Sequence, residues 1–354
     1  MTGEPGPPRV LVAGGTVTGL VLAALLERHG LRVTHIGHRS PADGSPAPLA
    51  LDALSVLGDL GVTVPTTAFD HVAVEHGDRA ALCFRDGTAP YADRAALRER
   101  LRGTVDSSPH DGVDRVDNHP DGVCVRFGDG ERARFDLVAG ADGPNSFLRT
   151  AAGVPMEAGG VHEWSFRVDR SGPSTPREAW APGVLATATP LEGGLRVRLA
   201  VAGEQGHPET LAAAALSRLG GPLGGLLDGE PPDRARYQRL PDPAAAATWR
   251  AGRVAFCGGA AAPLPGLSGL SPALGVGDAA VLAAAVAEAG VPGALDRYAA
   301  RRRRRLTAVR GAAGETRYPP TELEGPLGRV AGLRSVALVS PSLPGGPPTG
   351  SRRV

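Results

Sequence analysis

Lysine is absent from the 354 residues, and all 38 basic side chains are arginine. Schiff-base and lysine general-base catalysis are thereby excluded. Heavy use of Ala, Gly, Pro and Arg accompanies this absence and reads as a GC-rich coding sequence. Cysteine is scarce. Cys83, Cys124 and Cys257 lie far apart with no metal-ligand spacing, which predicts reduced side chains in a cytoplasmic protein and no metal site. A net charge of +1 leaves no basic face and argues against a nucleic-acid partner. The five arginines Arg301 to Arg305 read as a solvated helix end. No apolar run reaches membrane-spanning length, and the polar, Pro/Gly-rich residues 1–8 do not read as a signal peptide, so no membrane partner is expected. There is no Ser-His-Asp elbow and no phosphate-binding P-loop. Apolar residues make up 42% of the chain, enough for a sizeable core in one large domain or two packed ones.

The N-terminal segment carries the first positive signal. Arg9 to Ala13 is a short β-branched run that predicts a buried strand. Gly14-Gly15-Thr16-Val17-Thr18-Gly19 follows, then an apolar helical stretch from Leu20 to His29. Leu31 to Ile36 returns as a second strand, completing a βαβ unit. Gly14 allows a tight turn and Gly19 a close helix–strand approach. The helix N-terminus presents free N–H groups to a pyrophosphate. Two positions depart from the dinucleotide pattern: Thr16 stands where a middle glycine is usual, and Gly37 where an acidic residue would bind ribose hydroxyls. Alone, this segment fits nucleotide binding and a plain structural turn about equally.

Two later segments are more specific. Residues 136–149 read DLVAGADGPNSFLR, an apolar strand running into Asp142-Gly143, Ser146 and Arg149. Residues 252–280 read GRVAFCGGAAAPLPGLSGLSPALGVGDAA, with Gly252, Arg253, Val254, Gly258, Pro263, Gly269, Asp278 and Ala279 in register with a known motif. Weaker matches lie at Pro48 to Gly61, Arg94 to Leu97, Trp249 to Gly252 and Leu295 to Arg305. Together these resemble the flavoprotein monooxygenases related to p-hydroxybenzoate hydroxylase, in unbroken order over residues 9 to 310. The resemblance implies an α/β fold: a Rossmann-like FAD/NAD(P)-binding-type domain with a parallel sheet and helices, interleaved with a mainly β-sheet substrate domain. The expected pieces are residues 9–68, 88–152 and 250–310 for the first and 69–87 and 153–249 for the second. Residues 311–354 form a C-terminal extension, partly disordered.

By the same resemblance Gly14, Thr16, Gly19, Arg94, Asp142, Gly143 and Gly269 belong to the cofactor site. Several family side chains are replaced. Gly259 stands for an Asp on the ribityl–pyrophosphate, Ala262 for a His, Ser271 for a glycine, Ala273 for an Asn and Gly277 for an acid. Losing the carboxylates at Gly37 and Gly259 would weaken FAD binding by about 10²–10⁴-fold. The expectation is therefore no FAD or weakly bound FAD, with NAD(P)H used only if FAD is retained.

That leaves a cleft for an apolar small molecule between the two domains. The first reading is a non-redox cyclisation, isomerisation or dehydration of a polyketide-like intermediate in natural-product biosynthesis. The alternative is a working FAD- and NAD(P)H-dependent monooxygenase. A third reading is a non-catalytic ligand-binding partner, and a pathway partner enzyme is compatible with all three. Candidate catalytic groups are His162, Glu163, Asp169 and Tyr91, beside Arg94 and Asp142. Each has a plainer counterpart: strand-edge polarity for His162 and Glu163, turn and helix geometry for Asp142 and Arg94.

Overall fold

The computed structural model describes residues 6–37, 46–49, 51–76, 79–84, 90–156, 160–202, 206–227, 235–241, 248–262 and 271–313. Two large sheets organise them. The first has five strands: β1 (Arg9–Ala13), β2 (Arg32–Ile36), β11 (Leu137–Gly140), β17 (Arg250–Ala251) and β18 (Val254–Phe256). Their order is β17-β18-β11-β1-β2, parallel except for β17 at one edge. Val10, Leu11 and Val12 are fully buried because both sheet faces are covered. Each such side chain contributes about 1.5–3 kcal/mol of burial free energy.

Helix α1 (Val17–Arg28) crosses from β1 to β2 as the sequence predicts, and α7 (Ser271–Ala313) packs along it. Helices α2 (Leu51–Asp59) and α3 (Arg94–Arg102) complete this layer. A meander of β8 (Val113–His119), β9 (Gly122–Phe127) and β10 (Arg132–Phe135) leads into β11. The short helix α4 (Phe147–Ala151) follows β11. A small sheet joins β3 (Pro46–Pro48), β7 (Tyr91–Asp93) and β4 (Thr66–Thr67).

The second large sheet has seven strands in the order β16-β12-β15-β14-β13-β5-β6. They are β5 (Val72–His76), β6 (Arg79–Phe84), β12 (Val161–Val168), β13 (Arg177–Ala181), β14 (Val184–Leu191), β15 (Gly194–Ala202) and β16 (Arg236–Leu240). All neighbours are antiparallel except β13 with β5. Alternation gives the sheet two distinct faces. Trp164, Phe166, Val168, Val197, Leu199 and Val201 pack on helices α5 (Pro208–Arg218) and α6 (Gly221–Leu227). Buried Glu75 ties this layer together, pairing with Arg177 and accepting from the Leu223 N–H at 2.8 Å.

Two expectations are corrected here. The arginine run is not a solvated helix end: Arg302 and Arg305 are buried, and Arg302 forms an ion pair with buried Asp278. They lie three apart and so share one helix face, which turns inward. Secondly, Ser271–Val291 does reach membrane-spanning length, with a mean hydropathy of 1.6. Its burial, 61% of the window, marks it as a core helix, since it packs on α1 and the first sheet. Gly290 then kinks α7 with a positive φ of 62°. The extension expected from residue 311 starts inside α7, which runs to Ala313, and residues 314–354 lie outside the described residues.

Candidate active site

The three motifs of the sequence converge on one cavity. Its volume is about 660 Å³, and it runs from the β1–α1 turn to the exposed face of the seven-stranded sheet. Its walls at one end are Gly14 to Thr18, Ile36 and Gly37, Asp142 to Asn145, Gly259, and Ser271-Pro272 at the start of α7. At the other end lie Arg94 and Arg98 of α3 and Glu163, Ser165, Arg198, Arg236, Gln238 and Leu240 of the sheet.

The turn is shaped by close backbone approach. Gly14 has φ of 137°, and an added Cβ would stand 2.3 Å from the Ala141 carbonyl oxygen. A Cβ at Gly19 would stand 2.0 Å from the Gly14 carbonyl oxygen. Thr16 is a staple rather than an obstruction: its hydroxyl donates to the Ala141 carbonyl at 2.6 Å and accepts from the Gly19 N–H at 3.2 Å. It thereby caps α1. The helix start at Val17 and Thr18 faces the cavity, where unpartnered N–H groups and the helix dipole favour an anion.

The carboxylates of the two later motifs serve the scaffold. Asp142 accepts from the Ser146 hydroxyl at 2.6 Å and the Leu148 N–H at 3.0 Å, holding the start of α4. Burial raises its pKa against the pull of those hydrogen bonds. Arg149 binds the carbonyls of Val154 at 3.0 Å and Ala260 at 3.1 Å and lies over the Phe256 ring. Asp278 accepts from the Gly258 N–H at 2.7 Å, so it positions the short turn Gly258–Ala260 from behind.

At the two positions where the resemblance expects carboxylates, a side chain would be crowded at its first atom. A Cβ on Gly37 would lie 2.8 Å from the Gly15 Cα and 3.0 Å from the His35 ring. A Cβ on Gly259 would lie 3.0 Å from Pro144. Buried His35, which the sequence reading passed over, supports this region. Its ring bonds the Gly14 carbonyl at 3.2 Å and the Ser107 hydroxyl at 2.9 Å. Burial lowers its pKa, so it is held neutral.

The sheet end is set by strand register. Ser165 of β12 pairs with Arg198 of β15 on one side and Arg236 of β16 on the other. In the next row of this face Glu163 stands between Ala200 and Gln238. Glu163 is buried; Gln238 donates to its Oε1 at 2.7 Å, and Arg198 stands 4.0 Å from the same oxygen. Its Oε2 has no hydrogen-bond partner. The expected apolar lining is thus mixed: Leu240, Val161 and Ala200 form a small apolar cluster beside these charged groups.

Of the four candidate catalytic residues, only Glu163 lies in this cavity. His162 points to the opposite face of β12, bonded to the Tyr237 hydroxyl at 2.9 Å and stacked beside Trp164. Period-two alternation makes it impossible for both neighbours to face one side. Asp169 lies past the end of β12, 76% exposed and paired with Arg167. Tyr91 is buried edge-on against Phe69, 5.2 Å between ring centres, away from the cavity lining. Arg94, Gly14, Thr16, Asp142 and Gly143 do line it, and Gly19 shapes the turn behind. Gly269 lies outside the described residues. Arg98 was missed, although its spacing of four from Arg94 on one helix could have revealed it.

A parallel sheet with this βαβ turn, the loop at Asp142 and a seven-stranded sheet across a shared cavity define the fold of the FAD-dependent aromatic hydroxylases and monooxygenases. Comparison with known proteins agrees: the chain is similar to members of that family and shares their fold. No family profile matches it. It is 29% identical over 329 residues to the aurachin C monooxygenase/isomerase of Stigmatella aurantiaca, covering 82% of this chain and 84% of that protein. It is 32% identical over 248 residues to the 3-amino-4-hydroxybenzoate 2-monooxygenase of Streptomyces cremeus, covering 58% and 61%. Among solved structures, a salicylate hydroxylase substrate complex superposes with a TM-score of 0.71 at 19% identity, covering 94% of each chain. Klebsiella pneumoniae HpxO complexed with FAD and uric acid gives 0.71 at 21% identity, covering 93% and 92%.

Proposed function

We propose that the protein is an FAD- and NAD(P)H-dependent monooxygenase acting on a small aromatic molecule held against the seven-stranded sheet. The observation that carries this reading is the continuity of the cavity. One space joins the β1–α1 turn, the Asp142 loop and the start of α7 to the sheet face at Glu163. Its volume lies within the ordinary range for cofactor and ligand pockets. The residues present fit FAD by shape and by backbone donors, without the two carboxylates. The helix start at Val17 and Thr18 would take the pyrophosphate, and Arg94, Asp142, Gly143 and the Ser271-Pro272 start of α7 would flank the rest.

When bound, FAD reduced by NAD(P)H activates O₂, placing one oxygen atom on the substrate and releasing the other as water. The chain's own part is position and electrostatics. Arg198, Arg236 and Gln238 orient the substrate on the sheet, while Glu163 holds a hydrogen of its donor group. The test is spectroscopic and kinetic. The purified protein binds FAD, and substrate then stimulates NAD(P)H oxidation. Failure to bind FAD at saturating concentration, with no NAD(P)H oxidation, overturns the reading.

One observation favours a second reading. Glycine stands at both positions where the resemblance expects a carboxylate, Gly37 and Gly259, and both line the cavity. A non-redox step on the same scaffold, such as an isomerisation, follows if FAD is held too weakly to be retained. The name of the Stigmatella relative couples a monooxygenase with an isomerase. Turnover by protein stripped of FAD, unchanged on adding it back, distinguishes this case.

A further inference from the structure

We propose that His110, Asp129 and Glu131 bind a divalent metal ion of the zinc class beside the cavity wall. The site stands apart from the monooxygenase reading and does not depend on it.

Three observations carry it. First, one imidazole and two carboxylates converge. His110 Nδ1 lies 2.9 Å from Asp129 Oδ2 and 3.8 Å from Glu131 Oε2, and ligand atoms of the three residues all fall within 4.8 Å of one another. Bonds of about 2.0–2.1 Å to a tetrahedral ion put neighbouring ligand atoms about 3.3 Å apart. The two distances bracket that value, so small side-chain rotations close the set on an ion. A nitrogen donor beside carboxylate oxygens suits zinc, cobalt or nickel, whereas magnesium and calcium take oxygen ligands.

Second, the donors are held by contacts outside the set. The His110 ring stacks on buried Phe127, with 3.9 Å between ring centres and 5° between planes. The Glu131 N–H donates to Asp129 Oδ1 at 2.9 Å, while Oδ2 meets His110. The turn between β9 and β10 is closed by the Gly130 N–H on the Phe127 carbonyl at 2.9 Å. Gly130 has φ of 86°, and a Cβ on Gly128 would stand 2.1 Å from the Asp111 carbonyl oxygen. Two glycines thus let the turn bring both carboxylates against His110. Support of this kind orients ligands for a metal.

Third, the negative charge of the pair is left to a cation. All 38 basic side chains are arginine, yet among the described residues neither Asp129 nor Glu131 pairs with one. Arg126 and Arg134 of the same hairpin pair with Asp114 and Asp121 instead. The His110 hydrogen bond holds the Asp129 carboxyl below its ordinary pKa, so it is ionised and ready to ligate.

The scarcity of cysteine pointed away from a metal. These donors escape that reasoning because His110 and Asp129 stand 19 residues apart and meet only when the hairpin folds against the segment before β8. Residues 110–114 line the cavity, so a bound ion ties that stretch of wall to the β9–β10 turn.

Calorimetric titration of the full chain, freed of metal by a chelator, tests this with zinc, cobalt and magnesium chlorides. One zinc ion per chain is expected, with cobalt competing for it and magnesium in large excess failing to compete. His110→Phe keeps a ring on Phe127 and removes the nitrogen. Asp129→Asn keeps an acceptor for the Glu131 N–H and removes the charge. Each weakens zinc binding by about 10–100-fold. His207→Phe removes an exposed imidazole that faces a single carboxylate, Glu209, and leaves the titration unchanged. The proposal is overturned if no ion binds at millimolar zinc, if magnesium displaces zinc as readily as cobalt does, or if His110→Phe, shown folded by circular dichroism, binds zinc as the parent does.

Discussion

Asp278 and Arg302 form an ion pair inside the core, with side chains 3% and 4% exposed, and Asp278 also receives the Gly258 N–H at 2.7 Å. The pair links the second half of the kinked α7 to its first half and, through Gly258, to the cavity wall. Burial raises the Asp278 pKa, while Arg302 and the Gly258 N–H act in the opposite direction. Replacing Arg302 by Met strands a carboxylate in the core and is expected to destabilise by about 3–5 kcal/mol. Urea denaturation measures this; a loss below about 1 kcal/mol contradicts the assigned role.

Thr16 closes the β1–α1 turn by bonding both Ala141 and Gly19. Thr16→Ala removes a helix cap and a cross-loop hydrogen bond, with an expected loss of about 1–2 kcal/mol. Thr16→Ser keeps the hydroxyl and holds stability within about 0.5 kcal/mol of the parent. Equal losses in the two variants would place the effect in the methyl group instead.

His35 gives a pH dependence with a definite sign. Its folded-state pKa lies below the ordinary 6.5 because burial disfavours the charged ring. Below 6.5 the unfolded chain therefore binds a proton that the folded chain does not. Stability falls as pH drops from about 6.5 toward the depressed folded value, and above 6.5 this contribution is flat. His35→Gln removes that part of the slope. The check is the difference in Tm between the two proteins from about pH 5 to pH 7, and a pH-independent difference refutes it.

Gly259→Asp restores a carboxylate at the cofactor end but meets Pro144, whose nearest atom is 3.0 Å from the new Cβ. The expected result is a stability loss of about 1–2 kcal/mol together with about tenfold tighter FAD binding. Thermal unfolding and flavin fluorescence quenching report the two effects separately. An unchanged Kd for FAD shows that position 259 does not reach the cofactor.

Much of the scaffold was legible because its signals are local. The β-branched run at Arg9 to Ala13, the Gly14–Gly19 turn and the Asp142 loop each lie within about fifteen residues, and all three fall where the sequence places them. The sheet end of the cavity was not legible. Arg198, Arg236 and Gln238 meet Glu163 only through pairing of β12 with β15 and β16, and register between distant strands leaves no local mark. His162 was chosen for its chemistry, while alternation already required it to oppose Glu163. The inward turn of Arg302 and Arg305 depended on Asp278, twenty-four residues before the first of them, through the fold rather than the local charge pattern.

The two-faced character of β12 separates two kinds of evolutionary freedom. Its even-numbered residues from Trp164 to Val168 are committed to the helices behind, whereas Glu163 and Ser165 face the cavity. Point substitutions at 163, 165, 198, 236 and 238 can retune the preferred guest while the packed layer stays as it is. A single-residue insertion in β12 exchanges the two sets, exposing an indole to the ligand and burying a carboxylate among leucines. Descendants of this chain can therefore diversify by replacement along that strand, but not by changing its length one residue at a time.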